Sequence, residues 1–310
     1  MLSRVAESLF WMGRYMERAD GTARILDIHL QLMLEYPSAD EDAACRSLLS
    51  IMGVTDMTGP LTSADVATRL ATDKTEPASI AYSLVAAREN GRRAREIIST
   101  ELWECFNTTS IALPGSVAPE RHHGFFAWVK ERSAMAAGIA YTTMNRDEPY
   151  QFFMLGQGLE RADMTARLLA TRDLAGTGGA SWTTLLRSCG AYEACLRAYR
   201  GKPTAERAAE FLLLDQYFPR SIRFSVNRAL NAVHQLDPVP VSSRTGVATG
   251  AEWILGQAIS RLQYQPIEDV LADLPEAMDK VQESTSAASD AIKERYFPAL
   301  TLPVWMGEAA

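Results

Sequence analysis

Two stretches of this 310-residue chain carry acids and bases at spacings that gather them on one helical face. In Gly13-Arg14-Tyr15-Met16-Glu17-Arg18-Ala19-Asp20-Gly21-Thr22-Ala23-Arg24-Ile25-Leu26, the residues Glu17, Asp20 and Arg24 follow Gly13 at steps of four, three and four. In Gly156-Gln157-Gly158-Leu159-Glu160-Arg161-Ala162-Asp163-Met164-Thr165-Ala166-Arg167-Leu168-Leu169, the residues Glu160, Asp163 and Arg167 follow Gly156 at the same steps. Side chains three and four apart are neighbours on a helix, so Asp20 can pair with Arg24, and Asp163 with Arg167, in the favourable acid-before-base order. Glu17 and Glu160 lie one turn earlier and are left to meet something else. Arg18 with Thr22, and Arg161 with Thr165, form an adjacent stripe.

Such a set can do three things. It can form a buried ion-pair network that fixes helix register, line a polar pocket where two copies meet, or move a proton, with Glu17 or Glu160 as general base. A dimetal centre is a fourth idea, because Glu17, Asp20, Glu160 and Asp163 would supply four acids from two helices. The Glu-x-x-His motif of such centres is missing, the histidines (His29, His122, His123, His234) do not recur between the two stretches, and an arginine beside each acid pair opposes a dication. No metal and no cofactor is therefore expected.

Weaker candidates lie elsewhere. Arg88, Arg92 and Arg95 share a helical face that could hold phosphate or carboxylate, although an ion-paired, solvated face is the commoner outcome. Arg220 and Arg223 sit where a helix opens, a place that favours anions. Gly246-Val247-Ala248-Thr249-Gly250 lacks the Gly-Lys-Ser/Thr of a phosphate loop, and no Gly-x-Ser-x-Gly elbow occurs. His122-His123 reads as an exposed loop pair, and no cysteine and histidine suggest themselves as nucleophile and base. Cys45, Cys105, Cys189 and Cys195 fit neither CxxC chemistry nor a zinc knuckle and read as reduced packing residues.

The elements that position the stripes follow from the same comparison. The two stretches are identical at nine of 14 positions at an offset of 143. Thr62, Ala67, Leu70, Asp73, Pro77, Ser79, Ile80 and Ser83 match Thr204, Ala209, Leu212, Asp215, Pro219, Ser221, Ile222 and Ser225 at an offset of 142. Two matches at nearly one spacing predict an internal duplication, with copies at residues 1–149 and 150–310. Each copy reads as a helical bundle: an opening helix (2–35 and 150–172), a helix over Cys45–Met52 mirrored by Trp182–Tyr199, and another near Thr62 mirrored near Thr204. Helices follow with Pro77 and Pro219 in their first turn, and long amphipathic helices close each copy at 125–144 and 274–296. The loop Pro238-Val239-Pro240-Val241-Ser242-Ser243 reads as a connector. Small residues at Gly13, Ala19 and Ala23, and at Gly156, Ala162 and Ala166, would let another helix approach closely. The expected fold is all-α, two tandem helical bundles related by a pseudo-twofold and packed as one protein.

Composition agrees: 47% hydrophobic and 22% charged is ordinary for a globular protein, and no sheet-like alternation is visible. A charge of −7 opposes sequence-independent nucleic-acid binding. The charged opening segment does not suit a signal peptide, and no run suits a membrane span, so a cytoplasmic location is expected.

The opening Met1-Leu2-Ser3-Arg4-Val5-Ala6-Glu7-Ser8-Leu9-Phe10-Trp11-Met12-Gly13-Arg14-Tyr15-Met16-Glu17-Arg18-Ala19-Asp20 resembles the bacterial alpha-E family. So do Leu159-Glu160-Arg161-Ala162-Asp163, Phe218-Pro219-Arg220-Ser221-Ile222-Arg223-Phe224, Arg88-Glu89-Asn90 and Ile292-Lys293-Glu294-Arg295-Tyr296-Phe297. The resemblance implies an all-helical protein encoded beside a circularly permuted ATP-grasp protein and a transglutaminase-like protease, and hence a place in the making or trimming of peptide-like amide bonds. Two functions stay open on that basis. One is an accessory, scaffold or ligand-binding protein for an ATP-grasp amide ligase; the other is an enzyme of the same pathway, amide-forming or group-transferring, using Glu17 or Glu160 as base. Solvent access to those two glutamates discriminates between them.

Overall fold

The computed structural model describes residues 1–37, 40–173, 180–237 and 250–298, and among them every regular element is helical. The α-helices are α1 (Ser3–Glu35), α2 (Glu41–Ile51), α3 (Ser63–Ala67), α4 (Ile80–Arg93), α5 (Thr100–Ile111), α6 (His122–Thr143) and α7 (Glu148–Ala170). They continue with α8 (Trp182–Ser188), α9 (Tyr192–Tyr199), α10 (Ala205–Leu214), α11 (Ile222–Leu236), α12 (Ala251–Tyr264), α13 (Ile267–Ala272) and α14 (Leu274–Tyr296). The connector Pro238–Ser243 and the glycine-flanked stretch as far as residue 249 lie outside the described residues.

Helices α1 and α7 form the centre. Both bury residues around most of their circumference, which marks core helices rather than surface ones. They pack on each other along their length, α1 also on α4 and α6, and α7 also on α11 and α14. Helix α5 closes the first half against α4 and α6, and α12 closes the second against α11 and α14. The central contact is close because of two glycines. A Cβ on Gly13 would run into the Phe153 carbonyl oxygen, and one on Gly156 into that of Phe10, so each helix presents its glycine to the other's backbone. Helical glycine costs about 1 kcal/mol relative to alanine; here it permits the approach on which the polar side chains depend.

Local signals explain most boundaries. Thr62 and Asp65 form a capping box at α3, and Thr204 caps α10. The Thr62 helix is only five residues long before it passes into a π turn over Thr68–Thr72. Pro77 and Pro219 do not enter the first turns of α4 and α11. Ser79 and Ser221 take the N-cap positions, accepting from the backbone N–H of Tyr82 and Phe224, which leaves the prolines in the preceding turns. The single helix expected over Trp182–Tyr199 is two, α8 and α9, separated at Gly190, whose φ of 65° is left-handed. Pro149, the last residue assigned to the first copy, lies in the first turn of α7, where its missing N–H leaves no bond unmade. His122 and His123 open α6 rather than occupying a loop. His122 is buried and stacks on Phe126 with centroids 5.9 Å apart, while exposed His123 meets Asp27 at 3.0 Å.

Candidate functional site

The glycine contact brings the two acid-and-base stripes face to face. Arg161 of α7 donates Nε to Glu17 Oε2 at 2.9 Å and Nη2 to Glu17 Oε1. Arg18 of α1 donates Nε to Glu160 Oε1 at 2.6 Å and Nη2 to Glu160 Oε2 at 3.2 Å. Each Glu-Arg dipeptide thus gives its arginine to the other's glutamate through two parallel bonds, the strongest geometry open to a carboxylate. Within each helix the expected i,i+4 pairs form, Arg24 Nε to Asp20 and Arg167 Nε to Asp163, both at 2.8 Å. Arg18 and Arg161 do not pair off with Thr22 and Thr165. Those hydroxyls donate instead to the carbonyls of Ala78 and Arg220, at 3.2 and 3.3 Å, and tie down the turns before α4 and α11.

The stripes also hold the ends of short helices across the centre. Arg24 Nη1 donates to the carbonyl of Ser188, the last residue of α8, and Arg167 Nη1 to that of Ile51, the last residue of α2. A helix C-terminus carries partial negative charge and unpaired carbonyls, so a cation there is favourable.

Two arginines complete the network beyond the spacing argument. Arg14 donates Nε to Glu160 Oε2 at 2.5 Å and Nη1 to Ser289 Oγ of α14 at 2.7 Å. Arg220 places Nη1 3.0 Å from Asp20 Oδ2 and 3.8 Å from Glu17 Oε2. Arg220 is therefore no anion site: its charge is committed to the chain's own carboxylates. Aromatic faces complete the arginine surroundings, with Trp11 5.1 Å from Arg14 and Tyr15 5.4 Å from Arg18. A signal for both arginines was present in the internal match, where Arg14 stands opposite Gln157 and Arg220 opposite Ala78. Mismatches between the two matched stretches mark where the two sides of the centre differ.

Electrostatics favour the charged forms of Glu160, Asp20 and Arg220. Burial by itself would raise the Glu160 carboxyl, but Arg14 and Arg18 outweigh it and hold the group down to about 2. Burial likewise opposes the charge on Asp20, and Arg220 and Arg24 overcome it, so that its carboxyl lies below the usual range. The Arg220 guanidinium is desolvated, yet Asp20 and Glu17 raise it above its ordinary value. Burial and neighbouring Tyr82 lift the Tyr15 phenol to about 12. Glu17 and Glu160 are 6% and 1% exposed.

On the Glu160 side the network borders a cavity of about 540 Å³ lined by Arg14, Arg18, Ala78, Glu160, Asp163 and Arg167 among others, and on the Asp20 side Arg24 borders a smaller one of about 230 Å³ with Arg187 and Ser188. A second cleft, between α11 and α12 and lined by Leu230, His234 and Trp253, lies away from the stripes, with His234 3.0 Å from Glu252. The remaining candidates stay apart. Arg88 and Arg92 pair with Glu89 at 2.7 and 3.0 Å, Arg88 also meets Asn107, and Arg88 and Arg95 flank the Trp103 ring. Arg95 lies beyond the end of α4, so the three do not share one helix. Arg223 reaches the Leu214 carbonyl at 3.4 Å and does not join the network.

The structure does bring one cysteine and one histidine together across α1 and α2: Cys45 Sγ lies 3.8 Å from His29 Nε2. Burial raises the thiol to about 11 and lowers the imidazole to about 4, so both are neutral and the pair is no thiolate nucleophile. All four cysteines are free and buried.

Residues 1–297 match the Alpha-E family, described as a predicted alpha-helical domain with a conserved ER motif. Similar relatives include an uncharacterised protein of Mycobacterium bovis, 25% identical over an alignment covering 87% of this chain and 34% of that protein. An uncharacterised protein of Mycobacterium tuberculosis is 24% identical with the same coverage. The chain thus spans about a third of the length of these relatives. No solved structure matches.

Proposed function

This chain belongs to the Alpha-E family, and on that premise we propose that it is a non-catalytic, ligand-binding scaffold that serves an ATP-grasp amide ligase in peptide-like amide-bond metabolism. The observation that carries the reading is the reciprocal exchange of Arg18 and Arg161 between Glu160 and Glu17. A general base needs an unengaged lone pair and a pKa near the working pH. Both oxygens of each glutamate accept guanidinium bonds, and Glu160 is held at about 2. Buried, paired glutamates are what a scaffold would have. The competing reading, an enzyme using Glu17 or Glu160 as base, draws support from Glu160 bordering the cavity; the double arginine pairing of that residue opposes it.

We read the family's ER motif as Glu17-Arg18 and Glu160-Arg161, and the chain as two copies of one unit at 1–149 and 150–310. Support comes from matching details on either side of the centre: Ser79 and Ser221 both cap a helix while donating to the carbonyls of Asp73 and Asp215, and Thr22 and Thr165 hold corresponding turns. A transglutaminase-like protease is a second candidate partner. The location fits the cytoplasm, whose reducing poise suits four unpaired cysteines; none of the described helices is long and apolar enough to cross a membrane. The test is a pull-down with an ATP-grasp protein from the same genome, together with ligase turnover measured with and without this chain. A complex that changes turnover supports the reading; no complex and no change in rate would remove it.

A further inference from the structure

The two sides of the centre are built alike but not filled alike. Ahead of α11 the turn Pro219-Arg220-Ser221 places a guanidinium on Asp20, and ahead of α4 the corresponding turn Pro77-Ala78-Ser79 has only a methyl group. The correspondence is structural as well as sequential, because the carbonyls of Ala78 and Arg220 accept equivalent bonds from Thr22 and Thr165. Asp20 therefore has two arginines within ion-pair distance, Arg24 and Arg220, whereas among the described residues Asp163 has only Arg167 at that distance, with Arg18 acting on it from farther away. Arg14 does not make up the difference. It is bound to Glu160 and Ser289, and no ion pair joins it to Asp163.

One oxygen of Asp163 is consequently under-used. Its Oδ2 accepts from Arg167 at 2.8 Å, while among the described residues Oδ1 has only the Thr285 hydroxyl at 3.5 Å. That hydroxyl has a single proton and a better acceptor, the Gln282 carbonyl at 2.9 Å. Asp163 is 6% exposed and lines the cavity of about 540 Å³ that Ala78 leaves open. With Asp163 counted, the charged lining is balanced, Arg14, Arg18, Arg69 and Arg167 against Asp56, Glu76, Glu160 and Asp163. With no net excess to decide, the shortfall at Asp163 sets the sign of the ligand.

The geometry points to a binding site for an alkylguanidinium, an arginine-like small molecule or side chain, in the cavity beside Ala78, with Asp163 as its anchor and Arg220 across the centre as its built-in counterpart. This rests on the ligand-binding part of the function proposed above and names the ligand class. A buried carboxylate short of a donor gains a charge-assisted hydrogen bond from such a ligand, and the planar fork of guanidinium suits it better than a point charge would.

The test titrates agmatine and L-arginine into the full chain by calorimetry, with L-citrulline as neutral isostere and inorganic phosphate and acetate as anion probes. One equivalent of agmatine should bind, citrulline at least tenfold more weakly, and the anions should not compete. Ala78→Arg should abolish agmatine binding and melt no lower than the unaltered protein, since its side chain repeats what Arg220 does. Asp163→Asn should weaken binding at least tenfold. Arg220→Ala should create a second agmatine site, seen as a larger thermal shift on adding agmatine than the unaltered protein gives; this arm stands even if Ala78→Arg does not fold. Absence of agmatine and arginine binding overturns the proposal, as does undiminished binding in Ala78→Arg. Phosphate or citrulline binding that is blocked by Ala78→Arg, with agmatine inert, overturns the guanidinium assignment while the ligand-binding reading survives.

Discussion

Replacing Glu160 with alanine removes the one carboxylate that Arg14 and Arg18 meet as an ion pair among the described residues. Both side chains are largely buried, at 10% and 20% exposure, and what remains exposed of them faces the cavity of about 540 Å³. Breaking a buried pair by removing one partner costs about 3–5 kcal/mol, because a desolvated charge is left uncompensated. Two arginines are stranded here, and their contacts with Trp11 and Tyr15 give back only about 0.5–1 kcal/mol each. A loss of about 3–5 kcal/mol is expected. Glu17→Ala should cost less, roughly 2–3 kcal/mol on the same scale, because Arg220 keeps Asp20 at 3.0 Å and Arg161 alone is stranded with the distant Pro219 carbonyl. The assay is urea unfolding followed by far-ultraviolet circular dichroism, with the midpoint and slope fitted separately so that a change in the unfolded state is not read as lost stability. A triple Arg14→Met, Glu160→Met, Arg18→Met variant should recover most of the loss, since an apolar replacement of a whole buried ion set is often close to neutral. If Glu160→Ala costs less than about 1 kcal/mol, well below the range for a broken buried pair, or Glu17→Ala costs more than Glu160→Ala, the interlock is not what joins the central helices.

Further outcomes test neighbouring steps. Gly13→Ala and Gly156→Ala should each lower the melting temperature, by about 1–3 kcal/mol of overpacking, although alanine is the better helix former; a neutral or raised melting temperature would show that α1 and α7 do not touch at backbone distance. Stability should fall in acid. Glu160 is held at about 2 against 4.5 ordinarily, so the unfolded chain binds the extra proton first, and the stabilisation present above about pH 4.5 fades as pH drops toward 2, on the order of 3 kcal/mol. Urea midpoints measured across that window check it, and Glu160→Gln should flatten the curve; a flat curve in the unaltered protein contradicts the pairing. The thiols should resist an aromatic disulfide reagent at neutral pH and react only on unfolding, because burial raises Cys45 to about 11 and lifts the other three as well. Fast labelling of Cys45 in the native protein would argue against its neutral contact with His29.

Residue spacing alone determined a good deal: the helical class, the positions of the long helices, the i,i+4 pairs Asp20–Arg24 and Asp163–Arg167, and the small residues that let the central helices meet. These are local properties, fixed by a 3.6-residue period and by side-chain size. Tertiary structure decided where each glutamate finds its arginine. Nothing in the period says that Arg18 crosses to Glu160, because that contact depends on how closely and at what rotation two helices approach. It also decided that Arg14 and Arg220 join the network, that Cys45 meets His29, and that Arg95 parts from Arg88 and Arg92 where α4 ends. The contrast between Arg220 and Ala78 belongs to both levels. The sequence records two different residues at matching places, but their meaning, a guanidinium on Asp20 on one side and a cavity beside Ala78 on the other, exists only once the chain has folded around α1 and α7, since a cavity is a property of packed surfaces and not of any residue.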